Sequence, residues 1–197
     1  MTYLKLINYY SKVTPSYRPT KLLQDPITRV WLDEQVLMNF YKMNQALQKE
    51  GLSALVLVSG YRAFALQKKL YNQQVENLVR LSAPFEDISA LVTYLPAGTS
   101  EHQSGLCMDV CTAYMQQNFE ELSQFEYTFH KKWLDSKGAE FGFILRYPKD
   151  KEHITHVKYK PYHYRYVGVN HAQKMRKQNL CLEEYLSQHE RLRYNNI

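Results

Sequence analysis

The sequence predicts an α+β fold, with one domain built on a central, antiparallel-rich sheet that helices flank. The chain has 197 residues, of which 45% are hydrophobic, so it is long enough for one core and too apolar for a disordered chain. Segments with helical spacing follow short apolar runs in an irregular order, with short polar turns between them. This mixed order of elements is typical of the α+β class.

The N-terminal part predicts an extended segment followed by a helix. Residues 1–24 show no regular periodicity and are expected to be irregular and extended. Asp33 can cap a helix that ends at Gly51. Its inner face is formed by apolar residues at helical spacing: Val36, Leu37, Phe40, Met43 and Leu47.

A continuous apolar run at 54–58 predicts a central strand that is buried on both faces. Arg62 follows at the carboxyl end of this strand, just before a predicted helix over 64–79. The apolar residues of that helix form an expected inner stripe: Leu66, Leu70, Val75, Leu78 and Val79.

The second half predicts three strands and several helices. Helices are expected at 84–95 and 119–136, the latter closed by Lys137 and Gly138. The predicted strands cover 106–111, 143–145 and 154–157. Two short polar helices are expected after Val169, the second over 182–192. The chain therefore divides into an extended segment (1–24), a main domain (25–168) and a C-terminal helical tail packed on it (169–197).

Charge and cysteine content limit the classes of partner and compartment. The formal charge of +6 and the pI near 9.1 favour an anionic partner. The basic residues are scattered rather than gathered in a stripe, so nucleic acid is not expected.

Three cysteines make no even disulfide framework, which suits a reducing compartment. No apolar run reaches a membrane span, and the first residues lack a secretory leader, so we expect a cytoplasmic protein. A cell-wall protein whose leader had been removed would look the same.

The segment 100–110 carries the clearest chemical signal. A loop at 96–100 leads to His102, and Asp109 follows seven residues later on the predicted strand 106–111. Cys107 and Asp109 share one face of that strand, because side chains alternate along it. An imidazole and a carboxylate are two of the three ligands that a catalytic zinc needs. The alternative is a histidine that caps the core beside a buried, ion-paired aspartate.

The pattern S-x-H-x-x-G-x-x-x-D resembles the metal motif of the zinc D-Ala-D-Ala carboxypeptidases and dipeptidases, the VanY/VanX group of peptidoglycan peptidases. Further segments are similar to this family in the same order, and together they run from about residue 6 to 168. They are Leu6–Asn8 with Pro15–Pro19, Ser59–Arg62 with Gln67 and Leu70–Tyr71, Phe141–Pro148 with Ile154–Thr155, and Pro161–Gly168.

The resemblance implies a zinc cleft and assigns its residues. The implied zinc ligands are His102, Asp109 and His163. Arg62 would hold a substrate carbonyl or the oxyanion that forms on it. The implied substrate-binding residues are Ser100, Gln67 and Tyr162, the last in place of the family's usual tryptophan.

Other histidines fall outside this implied set. His156 stands where the family usually has glycine, and His130, His171 and His189 are expected to be solvated on surface helices.

Lys160 departs from the family pattern. The family's last motif reads Glu-Pro-Trp-His, and its glutamate is the general base, whereas this chain reads Lys-Pro-Tyr-His at 160–163. Three hypotheses follow. Lys160 is a base with a lowered pKa, or it stays charged and pairs with Asp109 in place of the metal, or zinc binds without turnover.

The resemblance therefore implies a zinc D,D-carboxypeptidase or dipeptidase that acts on peptidoglycan precursor peptides ending in D-Ala, with activity reduced or lost through Lys160. The alternative is an inactive member that binds muropeptides or a protein partner. A basic nucleic-acid-binding module is a distant third. The terminal residue of the substrate and the choice between D,D- and L,D-specificity stay open, because both depend on pocket shape.

Overall fold

A computed structural model describes residues 3–81 and 91–194, with side chains up to residue 188. Its main sheet has four strands in the order β3-β4-β6-β5, and every neighbouring pair is antiparallel. A second sheet pairs the short strands β1 and β2. The strands are β1 (Leu22–Gln24), β2 (Trp31–Asp33), β3 (Leu55–Ser59), β4 (Cys107–Thr112), β5 (Phe143–Leu145) and β6 (His163–Tyr166).

Seven α-helices lie in the described part of the chain, and short 3-10 turns connect several of them. The helices are α1 (Glu34–Lys49), α2 (Phe64–Arg80), α3 (Ala113–Gln117), α4 (Phe129–Lys137), α5 (Glu152–Thr155), α6 (Val169–Gln178) and α7 (Leu182–Tyr194). The 3-10 turns cover Glu101–Ser104, Leu122–Tyr127, Gly138–Phe141 and Lys149–Lys151. The predicted α+β class with an antiparallel sheet is confirmed. Among these helices, none has the length and apolarity that a bilayer crossing requires.

The main core forms between α1 and one face of the sheet. All five residues predicted for the inner face of α1 are buried, and Asp33 caps the helix by accepting a hydrogen bond from the Gln35 N–H. Strand β4 is buried along its whole length, as expected for a strand with a neighbour on each side. A smaller cluster packs α6 and α7 against the domain through Ala139, Val167, Met175, Leu182 and Tyr185.

Two burial predictions are wrong. Strand β3 lies at an edge of the sheet and buries one face only, so Val58 is 41% exposed. In α2 the expected apolar stripe is not buried, and Leu66 and Val79 are 46% and 56% exposed. None of the apolar residues of α2 belongs to the main core cluster, and its buried residue is Gln67.

Three local predictions also need correction. The helix predicted over 119–136 is a 3-10 turn followed by α4, because the Thr128 hydroxyl accepts from the Lys131 N–H and starts a new helix. The strand predicted at 154–157 does not form, because residues 154–155 are the end of α5 and the chain turns at His156. Within α4, His130 is buried rather than solvated, with Nε2 2.8 Å from the Ser53 carbonyl oxygen.

Two further histidines outside the implied ligand set, His156 and His171, lie in the described part of the chain. His156 ends α5 in the left-handed region, at φ = 55°, a conformation that glycine adopts most easily. His171 is half-buried, and its Nδ1 lies 2.7 Å from the Tyr185 hydroxyl. Most of the helix predicted over 84–95 lies outside the described residues, as does the side chain of His189.

Candidate metal centre and cleft

The pairing of β4 with β6 places Asp109 directly opposite His163. The two side chains meet on the buried sheet, with Asp109 Oδ1 2.7 Å from His163 Nδ1. Residues 54 positions apart in sequence are thus joined by the strand register. Because side chains alternate, a slip of one residue would turn Asp109 to the opposite face of the sheet.

A short turn before β4 delivers His102 to the same place. The turn ends at Gly105, whose φ of 72° is a left-handed conformation that suits glycine. His102 Nδ1 lies 2.6 Å from the Gly60 carbonyl oxygen. A carbonyl oxygen only accepts, so Nδ1 carries the hydrogen and Nε2 keeps its lone pair. That Nε2 lies 3.2 Å from Asp109 Oδ2.

Gly60 can hold His102 only because it has no side chain. A Cβ at this position would lie 2.3 Å from the carbonyl oxygen of Trp31, which cannot move aside without shifting β2. The Gly-Tyr-Arg segment at 60–62 therefore has a steric reason for its glycine. The Arg62 N–H donates in turn to the His102 carbonyl, at 2.9 Å, so this segment and the His102 turn fix each other.

The donor set fits a zinc ion. The rings of His102 and His163 are 5.0 Å apart, and the Asp109 carboxylate lies between them. Two imidazole nitrogens and one carboxylate oxygen are a usual set for a catalytic zinc with one open position. Cys107 is a second possible donor, since its sulfur and the nitrogens of both histidines lie within 4.8 Å of one another.

Burial and charge set the protonation states of these groups. Burial lowers the pKa of His102 to about 4, with a smaller contribution from the Arg62 cation, although Asp109 opposes the shift. Burial alone would raise the pKa of Asp109, but the two histidines outweigh it and hold that pKa well below its ordinary value. Burial raises the pKa of the Cys107 thiol well above its usual range. A neutral His102 and an ionised Asp109 are the forms that bind metal.

A cleft of about 360 Å³ opens onto this group. Its lining includes Arg62, Ser100, Lys160 and Tyr162 of the predicted site residues. Arg62 is largely buried, its guanidinium lies 5.2 Å from the centre of the Tyr94 ring, and its Nε has no hydrogen-bond partner among the described residues. An unpartnered cation at a cleft wall is suited to binding an oxygen of a ligand.

Lys160 lies in the cleft without pairing with Asp109. Its Nζ donates to the Thr93 carbonyl at 2.9 Å, while both oxygens of Asp109 face the histidines. Burial lowers the pKa of Lys160, the Arg62 cation adds to the shift, and Asp109 opposes it. The direct Lys160–Asp109 pair of the second hypothesis is absent from this arrangement.

Gln67 lies outside the cleft lining. Its side chain is fully buried, and Nε2 donates to the Leu95 carbonyl at 2.6 Å. Gln67 therefore connects α2 to a wall residue of the cleft. Its predicted contact with the substrate stays a prediction.

Two carboxylates of the cleft were not assigned by the sequence. Glu121 lies at its exposed rim, and Glu101 lies buried beside His102. Glu101 forms ion pairs with Arg146 and Arg165, at 2.9 and 2.8 Å. Glu101 directly precedes His102, but no sequence spacing links Glu121, Arg146 or Arg165 to this group, because the sheet and its loops bring them together.

Comparisons with known proteins identify the family of the chain. The family profile "VanY: D-alanyl-D-alanine carboxypeptidase" matches residues 29–169. A D-alanyl-D-alanine carboxypeptidase of Enterococcus faecium is 34% identical over 81% of this chain and 45% of its own length. The bifunctional D-Ala-D-Ala dipeptidase and carboxypeptidase VanXYC of Enterococcus gallinarum is 32% identical over 94% of both chains. This chain thus spans about half the length of the first of these relatives.

Solved structures give the same result. The D,D-pentapeptidase VanY of a VanB-type resistance cassette, in complex with Zn(II), superposes with a TM-score of 0.78 at 31% identity, over 93% of this chain and 98% of that one. The LD-carboxypeptidase LdcB superposes with a TM-score of 0.77 at 32% identity, over 92% and 84%. Motifs, fold and the arrangement of His102, Asp109 and His163 all lead to one conclusion: the chain belongs to the VanY D-alanyl-D-alanine carboxypeptidase family.

Proposed function

We propose that this protein is a zinc-dependent D,D-carboxypeptidase or dipeptidase that acts on peptidoglycan precursor peptides ending in D-Ala, and that Lys160 reduces its turnover. The observation that carries the proposal is the convergence of His102 Nε2, the Asp109 carboxylate and His163 Nδ1 on the inner wall of the cleft. Zinc at this place would supply Lewis-acid polarisation of the scissile carbonyl.

We assign the metal to Asp109 rather than to Cys107. The two Asp109 oxygens lie 3.2 and 2.7 Å from a nitrogen of each histidine, whereas the Cys107 sulfur is placed only within 4.8 Å of them. Carboxylate oxygen with two imidazoles also leaves a position open, which a hydrolase requires. The expected result is about one zinc per chain in the parent and in Cys107→Ala, and its loss in Asp109→Ala.

The other cleft residues bind and orient the peptide. Arg62 donates N–H groups to the carbonyl oxygen under attack and stabilises the negative charge that develops on it. Ser100 is buried at the cleft wall and offers a hydroxyl to the terminal carboxylate. Tyr162 forms part of the cleft wall. Its own pKa is raised to about 12, first by burial, so it stays a neutral donor.

The proton transfer is the step that this chain performs poorly. A general base must accept the proton of the attacking water and return it to the leaving amine. An ammonium at position 160 cannot accept a proton, and only the neutral fraction of Lys160 can. A positioned base contributes about 10²- to 10⁴-fold to a rate, so we expect turnover below that of an enzyme with glutamate at this position by a factor in this range.

Release of D-Ala from a D-Ala-D-Ala-terminated pentapeptide tests the proposal. The zinc-loaded parent should release D-Ala slowly, and Lys160→Glu should raise the rate by about 10²- to 10⁴-fold. Lys174→Glu makes the same charge change on an exposed position of α6 and should leave the rate unchanged. No zinc in the parent, or no hydrolysis by either parent or Lys160→Glu, would overturn the hydrolase proposal.

A second function is favoured by the cations in the cleft. Arg62 and Lys160 together make a wall suited to a carboxylate-bearing ligand. The protein would then be an inactive member that binds muropeptides. Calorimetric binding of the pentapeptide without release of D-Ala, in the parent and in Lys160→Glu alike, would favour this binder over the hydrolase.

A further inference from the structure

Arg146 contacts the backbone of one histidine of the metal centre, His163, and the chain neighbour of the other, His102. It directly follows β5, and its backbone N–H donates to the His163 carbonyl at 3.2 Å. Its side chain reaches the turn that carries His102, where Nε lies 2.9 Å from Glu101 Oε1. Glu101 directly precedes His102. One buried arginine therefore links the segment of His163 to the segment of His102.

Glu183 of the C-terminal helix α7 completes the contacts of Arg146. Its two oxygens accept from Nη1 and Nη2 at 2.8 and 2.6 Å, the bidentate geometry that guanidinium and carboxylate favour. The side chains of Glu101 and Arg146 are fully buried, and that of Glu183 is 13% exposed. Asn8 adds a longer contact to Glu183, at 3.4 Å.

The buried charges balance only when Glu183 is counted. Arg146 and Arg165 carry two positive charges, and Glu101 and Glu183 carry two negative charges. Removal of one partner from a buried ion pair leaves an uncompensated charge, which is strongly unfavourable. Without Glu183 the excess is positive, and it lies on the arginines that contact Glu101, the residue before His102. A positive charge there repels a divalent cation and draws Glu101 towards Arg146.

We propose that Glu183 is a positioning residue for the metal centre, acting through Arg146 on the segments that hold His102 and His163. This inference rests on the zinc site proposed above. It adds a contribution from α7, which lies beyond residues 29–169 that the family profile matches. The C-terminal helix is thus part of the machinery that binds zinc, in addition to covering the domain.

The neighbouring residue offers a matched control. Glu184 lies on the same helix, has the same charge, and pairs with Lys151 at 3.1 Å. That pair has no contact with Arg146 or Glu101 among the described residues. Glu184→Gln therefore removes one negative charge from α7 without disturbing the support of the histidines.

The test measures the zinc dissociation constant of the full chain by competition with a chromogenic chelator. Glu183→Gln should weaken zinc binding by about 10-fold, the lower end of the range for losing a partner that contacts a metal ligand directly, because Glu183 acts through Arg146. Glu184→Gln should match the parent. Glu183→Asp keeps the charge on a shorter side chain and should recover most of the affinity. A thermal melt in EDTA reports stability separately, since a purely structural role would lower the melting temperature and leave zinc affinity at the level of Glu184→Gln.

The outcomes distinguish a failure of the role of Glu183 from a failure of the proposed zinc site. Equal zinc affinity in Glu183→Gln and Glu184→Gln would overturn the role of Glu183 while leaving the zinc site intact. No zinc in the parent would overturn the proposed function, and this inference with it. If Glu183→Gln does not fold, Glu183→Asp decides, because its shorter side chain loosens the contact with Arg146. A zinc dissociation constant above that of Glu184→Gln would support the proposal, and an equal one would refute it.

Discussion

Acid should destabilise the metal-free protein through His102. In the folded protein burial lowers the pKa of this histidine to about 4, against an ordinary value of 6.5 in the unfolded chain. As the pH falls below 6.5, the unfolded chain takes up a proton that the folded chain refuses. Folding stability is therefore complete above pH 6.5 and is lost progressively until pH 4.

The magnitude follows from the difference between the two pKa values. A difference of about 2.5 units at roughly 1.4 kcal/mol per unit gives a loss of about 3 kcal/mol once the pH reaches 4. Such a loss is a large fraction of the 5–15 kcal/mol that usually separates folded from unfolded domains. Urea unfolding in EDTA, followed by circular dichroism at intervals from pH 7.5 to 4.5, measures it.

The variant His102→Gln separates this effect from other titrations. It lacks the imidazole, so its stability should change much less between pH 7 and 4.5 than that of the parent. Carboxylates with lowered pKa values, such as Glu101, titrate below this interval in both proteins. Parallel loss of stability in parent and variant would show that His102 is not held neutral, and would refute the burial argument.

Two further predictions concern Arg62 in the cleft wall and Gly60, which contacts His102. Arg62→Met removes the buried guanidinium and should weaken binding of a D-Ala-D-Ala-terminated peptide by about 10- to 100-fold, the contribution of a hydrogen bond to a charged group. Calorimetry measures the binding, and loss of zinc in metal analysis would contradict the prediction, because the zinc content should stay unchanged. Gly60→Ala places a Cβ 2.3 Å from the Trp31 carbonyl oxygen and should cost about 2 kcal/mol or more of stability while weakening zinc. Gly138→Ala is its control, because a Cβ there would lie 3.7 Å from its nearest neighbouring atom and the backbone is right-handed helical. An equal fall in melting temperature in both variants would refute the steric explanation for Gly60.

The sequence was most informative where local pattern and tertiary position agree. The helix capped by Asp33 and the buried strand β4 follow from spacing alone, since their neighbours cover them as the pattern requires. The family followed from motifs in a fixed order, and the profile match confirms it. Spacing also indicated that His102 and Asp109 could meet, because a loop brings His102 to the start of the strand that carries Asp109.

Predictions failed where burial depends on partners that are distant in sequence. The apolar run of β3 does not reveal that this strand lies at a sheet edge, with Val58 towards solvent. The apolar residues at 154–157 look like a strand, but the chain turns left-handed at His156 and ends a helix there. Equally, no local pattern marks Glu183 as a partner of Arg146, 37 residues away.

All three cysteines are buried and unpaired: Cys107, Cys111 and Cys181 are each at most 2% exposed. Thiol-reactive dyes should therefore spare them while the protein is folded. A cysteine introduced at the rim position Glu121 could be labelled selectively without first replacing the native ones. A fluorophore at that position would report the arrival of a peptide in the cleft by a change in its emission, whether or not the peptide is then cleaved.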